Sequence, residues 1–175
     1  RLPEGLYKVC IQVLDYERGN VVSNTGCTMA WMMLNDPPLL NMPQNATKVL
    51  ATEPQNLMFQ WTPRHMASPN AARSVEYLFR LVEVYPEGRN PMEAMRVARP
   101  IYETYTANTS IYYGPAEPYL IPGRWYAWQV QARDTEGRDL FKNQGYSEVY
   151  SFKFGDACLV PGSVMAETIN DKTFR

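Results

Sequence analysis

The chain is predicted to be all-β, built from short strands, on three observations. Fourteen prolines, 12 tyrosines and four tryptophans in 175 residues favour short strands joined by turns. The stretch "RWYAWQVQARDTEG", residues 124–137, alternates Tyr126, Trp128, Val130 and Ala132 against Ala127, Gln129, Gln131 and Arg133, the period of a strand with one buried face. The same pattern opens the chain, where "LYKVCIQVLDYERG" sets Tyr7, Val9, Ile11 and Val13 against Lys8, Cys10, Gln12 and Leu14. The two copies are offset by 119 residues (126 less 7), and Pro3/Pro122 and Glu17/Glu136 obey the same offset.

Each element can be justified along the chain. A strand over residues 7–15, a turn at "YERGN" and a strand over residues 23–34 form an opening hairpin. "NDPPLLNMP", residues 35–43, reads as a Pro-rich link. "FQWTP", residues 59–63, is a strand with Trp61 in the core, and "SVEYLFRLVEVY", residues 74–85, is the next. In "GRNPMEAMRVARP" Asn90 precedes Pro91 at a first helical position, and Met92, Glu93, Ala94 and Met95 favour a short helix. "PIYETYT" and "TSIYYG" are two further strands. Leu120, Pro122 and Tyr126 stand at i, i+2 and i+6, the spacing at which a tyrosine hydroxyl folds back onto the preceding loop. Asp134 and Gly137 end that strand. "YSEVYSFKFG" comes last, with Tyr150, Phe152 and Phe154 on one face.

This ordered set resembles fibronectin type III domains over roughly residues 41–155. Residues 120–137 look like their strand F and residues 59–63 like their strand B. The resemblance implies a Greek-key β-sandwich of about seven strands, with Trp61, Tyr126, Trp128 and Val130 as structural core. "NDPPLLNMP" and "GRDLFKNQGYSEVYSFKFGDAC" further resemble modules repeated in large secreted or surface proteins of Bacteroidota, the group associated with type IX secretion and TANFOR domains.

The repeat then divides the chain. Residues 1–40 are strands F and G of a preceding module plus its linker, residues 41–156 a complete domain, and residues 157–175 a linker and the first strand of a following module. A lone hairpin is marginally stable in water, so either its partner strands lie upstream or it packs on the complete domain. The chain begins with Arg1 and shows no signal peptide, the expectation for a mature product or a piece of something longer.

Cys10 and Cys27 lie symmetrically about a turn near Arg18 and Gly19 and are expected to face one another across the hairpin, within reach of a disulfide. Cys158 is left over. Three free thiols in a reducing compartment and a metal site are the alternatives; no CxxC or HxxxH spacing supports the latter. A disulfide implies an oxidising, extracytoplasmic setting.

Chemistry is sparse. With 17 basic and 18 acidic residues, net charge is −1, which offers no basic field for nucleic acid. No apolar run approaches the roughly 18 residues of a membrane span. There is no GxSxG, GxxxxGKS/T or GxGxxG motif. His65, the single histidine, reads as a solvated loop residue. The carboxylate pairs Glu83/Glu87 and Asp134/Glu136 read as solvated turn charges. Methionines 29, 32, 33, 92 and 95 read as gap-fillers. No catalytic residue, metal or cofactor is expected.

The expected function is a non-catalytic spacer within a large extracytoplasmic protein, its partners being neighbouring modules. The alternative is an accessory module binding glycans or surface proteins through Tyr112, Tyr113, Tyr119 and Trp125, where Trp125 and one of Tyr112 or Tyr113 face outward. Packing of those aromatics on the helical insert is the competing account.

Overall fold

The computed structural model describes residues 4–65 and 75–155; Cys158 and the strand expected within residues 157–175 lie outside them. The described chain is mostly strand, with one short helix. In order, the elements are β1 (Gly5–Ile11), β2 (Gly26–Met32), β3 (Leu39–Met42), β4 (Thr47–Val49), β5 (Leu57–Thr62), β6 (Val75–Glu83), α1 (Pro91–Val97), β7 (Tyr102–Thr106), β8 (Ser110–Tyr113), β9 (Arg124–Asp134) and β10 (Tyr150–Phe154). They form a two-stranded sheet β1-β2, a five-stranded sheet β4-β10-β9-β6-β7 and a three-stranded sheet β3-β5-β8. All pairings are antiparallel except β4 with β10.

The five- and three-stranded sheets bury their apolar faces against one another. Strand alternation decides which residues meet: Leu57, Phe59 and Trp61 from β5 face Tyr77, Phe79 and Leu81 from β6 and Tyr126, Trp128, Val130 and Ala132 from β9. Phe59 sits at the centre, its ring 4.8 Å from Phe79, 5.2 Å from Trp128 and 5.8 Å from Phe152. The indole N–H groups of Trp61 and Trp128 are buried with no hydrogen-bond partner among the described residues. Each costs about 1–3 kcal/mol, less than the roughly 4–6 kcal/mol gained by burying a ring of about 150–250 Å2.

Tyr126 closes the corner expected of it: its hydroxyl accepts from Ile121 N at 2.7 Å. The helix forms where Asn90 caps it, the Asn90 side chain accepting from Met92 N at 2.9 Å with Pro91 next in line. It lies on the outer face of the five-stranded sheet, where Ala94 and Met95 bury Val82, Val84 and Ala127.

The strands β1 and β2 pair in a register that sets Cys10 opposite Cys27, with Cα atoms 4.1 Å apart and the two sulfurs bonded. That spacing belongs to a non-hydrogen-bonded antiparallel pair. The turn is not centred where the cysteine symmetry put it. Asp15 N donates to Asn20 O at 2.7 Å and Val22 N to Val13 O at 3.0 Å, so the tip lies one residue earlier. Extra residues at 23–25 on the β2 side restore the cysteine register, and Ser23 Oγ occupies the gap by accepting from Val13 N at 2.9 Å.

The "NDPPLLNMP" stretch is more than a link. Leu39–Met42 is strand β3, and Leu40 is in the core. A boundary between residues 40 and 41 therefore cuts a strand. A bulge after Leu40 breaks the pairing with β5, and the chain crosses to the other sheet. There Asn45 Oδ1 accepts from Ser151 N at 2.9 Å and Ala46 N donates to Ser151 O at 2.7 Å.

Candidate functional site

Two regions display groups that a partner could use. The first is the segment from Tyr112 to Ile121. Alternation in β8 turns Ile111 and Tyr113 inward and Ser110 and Tyr112 outward. Tyr113 is fully buried, and its hydroxyl donates to Pro118 O at 2.6 Å. Burial, and then the nearby Glu117 carboxylate, push its phenol pKa well above the usual value. Tyr113 is therefore not part of an outward surface, contrary to the expectation that included it.

A buried glutamine shapes the chain beyond β8. Gln55 Nε2 donates to Gly114 O at 2.7 Å and also reaches Glu117 O and Pro118 O, while its Oε1 accepts from Leu120 N at 3.1 Å. Glu117 Oε2 accepts from Gly114 N at 2.7 Å. The ring of Tyr112 lies across Gly114, where a Cβ would come within 2.6 Å of Cε1, so a side chain there would push the ring aside. Tyr112 and Tyr119 end 55% and 58% exposed. The Tyr119 hydroxyl points at Glu53 Oε2, 3.4 Å away. Exposed phenol rings such as these, Tyr119 with a carboxylate at its hydroxyl, can stack on a flat apolar face and hydrogen-bond at its rim.

Trp125 does not join them. It packs beside α1 with Ala98 and Val149, so the helical insert covers the tryptophan expected to face outward.

The second region is the junction between hairpin and domain. The buried Asn35 donates its N–H to Leu140 O at 2.7 Å and accepts from Lys142 N at 2.9 Å, a parallel bridge to Phe141. The Lys142 ammonium stands 3.2 Å from Asp36 Oδ1 and 3.6 Å from Glu4 Oε2; bonding to Asp36 raises its pKa above the ordinary lysine value. Glu4 Oε1 accepts from Leu34 N at 2.9 Å, and Arg64 Nη2 reaches Asp36 Oδ2 at 2.9 Å. The receiving turn is itself specified by glycine: Gly145 adopts φ +81°, and a Cβ there would collide with the Ala132 carbonyl oxygen.

The remaining titratable candidates are structural. His65 is buried against Phe141 and Tyr77, ring centroids 5.9 and 6.5 Å away, and burial lowers its pKa. It is not a solvated loop residue. Asp134 is likewise no solvated charge: its buried carboxylate accepts from Arg138 Nε at 2.9 Å and Nη2 at 3.0 Å, which holds its pKa below the usual range. Glu83 pairs with Arg124. Among the described residues no group of three metal-ligating side chains converges, and no helix is long and apolar enough to cross a membrane. Sequence reasoning missed Gln55, Asn35 and Arg138, because a lone polar residue in an irregular segment or a turn carries no periodic signal.

No family model matches the chain, and no curated protein does. Among solved structures, an alpha-L-rhamnosidase from Dictyoglumus thermophilum is similar over 71% of this chain, at 16% identity and a TM-score of 0.46; the chain spans 13% of that structure's length.

Proposed function

We propose that the chain is a stretch of a serial array of fibronectin type III-like β-sandwich modules, a non-catalytic spacer in a large extracytoplasmic protein. The observation that carries the reading is the pinned junction. A hairpin with the pattern of β9 and β10 is joined to the complete domain by a segment that Asn35 and Lys142 hold, where a free linker would carry no such bonds. Apart from β4, which adds parallel to β10 at the edge, the order β3-β5-β8 against β10-β9-β6-β7 is the one expected of the A-B-E and G-F-C-C′ sheets of that module. The exposed Cys10–Cys27 bond suits an oxidising compartment. Neighbouring modules are the partners, and a net charge of −1 argues for neither nucleic acid nor an anionic surface.

A spacer with a fixed junction holds its modules at one angle. Amide dipolar couplings from β1–β2 and from the domain are expected to fit a single alignment tensor in solution; two unrelated tensors would sink the reading.

A second reading, a glycan- or protein-binding accessory module, is favoured by the exposed Tyr112 and Tyr119 rings. Titration with soluble oligosaccharides, followed at the backbone amide NMR signals of residues 110–121, tests it. Shifts that vanish in Tyr112→Ala and Tyr119→Ala are its expected result.

A further inference from the structure

His65, the single histidine of the chain, lies beneath the junction between hairpin and domain. It follows β5, and its ring meets Phe141 edge-on, with centroids 5.9 Å apart and planes at 77°. Both residues are buried. Phe141 is also the residue that the connecting segment straddles. Asn35 N donates to Leu140 O, and Lys142 N donates to Asn35 O, so the backbone on either side of Phe141 is tied to Asn35. The grip on Asn35 therefore depends on where Phe141 sits, and Phe141 sits against His65.

A positive charge on His65 is poorly served in this place. Burial lowers its pKa from the ordinary value, and the Phe141 ring offers an imidazolium no acceptor in exchange for water. On β6, the Tyr77 phenol faces His65 with ring centroids 6.5 Å apart. Burial pushes its pKa up to about 12, so it supplies no anion near neutrality. Arg64, next to His65 in the chain, and Lys142, next to Phe141, both engage Asp36, and Lys142 also stands near Glu4. Bonding raises the Lys142 pKa, so both cations persist from neutral into mildly acidic solution.

We propose that the junction is an acid-sensitive latch: protonation of His65 displaces Phe141 from its seat, frees Asn35 and lets the hairpin turn relative to the domain. The inference rests on the serial-module reading and adds to it a condition, mildly acidic surroundings, under which the spacer loses its fixed angle. With the latch closed, His65 is buried and neutral. With it open, the imidazole meets water and titrates near about 6.5. The open form takes up the proton more readily, so closure weakens as pH falls below about 6.5, until the closed form protonates too. One proton limits the effect at pH 5 to about thirtyfold. The Asp134 carboxyl, held by Arg138 in the same turn, has the same sign but acts below about 4.

Amide hydrogen exchange of the full chain, corrected for the intrinsic effect of pH, reads the latch at Asn35 and Lys142. Between pH 7.5 and 5 their protection is expected to fall by about threefold to thirtyfold, while the amides of β6 and β9 hold. His65→Gln and His65→Phe are neutral at both pH values and are expected to keep that protection level. The second variant preserves a ring against Phe141 where the first loses one. A pH dependence that survives in both variants assigns the sensing to Asp36 or Glu4 and overturns the inference. Parallel loss of protection in β6 and β9, or level protection in the unaltered chain, overturns it as well. In each of those cases protection at pH 7.5 leaves the modular reading standing. If Asn35 and Lys142 are unprotected already at pH 7.5, the junction is absent in solution and both fall.

Discussion

Residues 7–13 and 126–132 carry one alternation and meet opposite fates. In β9 the residues Tyr126, Trp128, Val130 and Ala132 are buried; at the equivalent places Val9, Ile11 and Val13 are exposed. Backbone pairing does not explain the difference, since both segments lie in antiparallel ladders. The difference is the facing layer. Phe59 and Trp61 lie across from β9, and among the described residues no second sheet lies across from β1. Alternation marks the face a strand can bury; a second sheet decides whether it is buried.

The sharpest way to break this comparison is to delete an aromatic from each half. Trp61→Ala is expected to cost about 3–5 kcal/mol through the cavity it opens. Trp31→Ala, in a side chain 64% exposed, is expected to stay within about 0.5 kcal/mol. Thermal unfolding of the two variants reads both, and equal losses would show that the hairpin has a core of its own.

Reducing the Cys10–Cys27 bond separates the halves differently. Closing a loop with a sequence separation of 17 stabilises by about 3 kcal/mol in the chain-entropy model. That stabilisation belongs to the hairpin alone. Reduction is expected to abolish exchange protection in β1 and β2 while the domain's melting temperature holds. Mass spectrometry of the unreduced tryptic digest checks that the bond forms.

A smaller effect attaches to the corner. Tyr126→Phe removes the hydroxyl that accepts from Ile121 N and is expected to cost about 1 kcal/mol, again visible in the domain's transition only.

The last effect appears only in acid. The Asp134 carboxyl, held below its ordinary pKa chiefly by Arg138, stabilises the fold above an unfolded-state value of about 4. That contribution is lost as pH falls through the depressed folded-state pKa. Buried His65, also lowered, has the same sign and begins to act below about 6.5. Asp134→Asn is expected to flatten the acid limb of a melting-temperature profile and leave its neutral plateau lower, because Arg138 loses a charged partner.

Most of the domain's strands were legible in the sequence because their pattern has period two and their ends carry turn chemistry. Asn90 and Pro91 announced the helix for equally local reasons. The register that opposes Cys10 and Cys27 was legible too, although the turn was misplaced by one residue, since a local irregularity at residues 23–25 leaves no mark in an alternating pattern. What stayed hidden depends on contacts between distant segments. Nothing around Leu40 distinguishes a linker from a strand until Trp61 lies beside it in the sheet. Trp125 reads as outward-facing until α1 lies over that face. Asp134 reads as a turn charge until Arg138 folds back on it.

Gln55 carries a consequence of another kind. Every atom it grips in the segment from Gly114 to Leu120 belongs to the main chain. Its grip is therefore indifferent to the side chains that segment shows to solvent. Ala116 and Tyr119 can be replaced without loosening the frame, whereas a side chain at Gly114 would displace the Tyr112 ring that lies over it. Such a frame lets the displayed chemistry drift between related chains while the curve of the backbone stays the same.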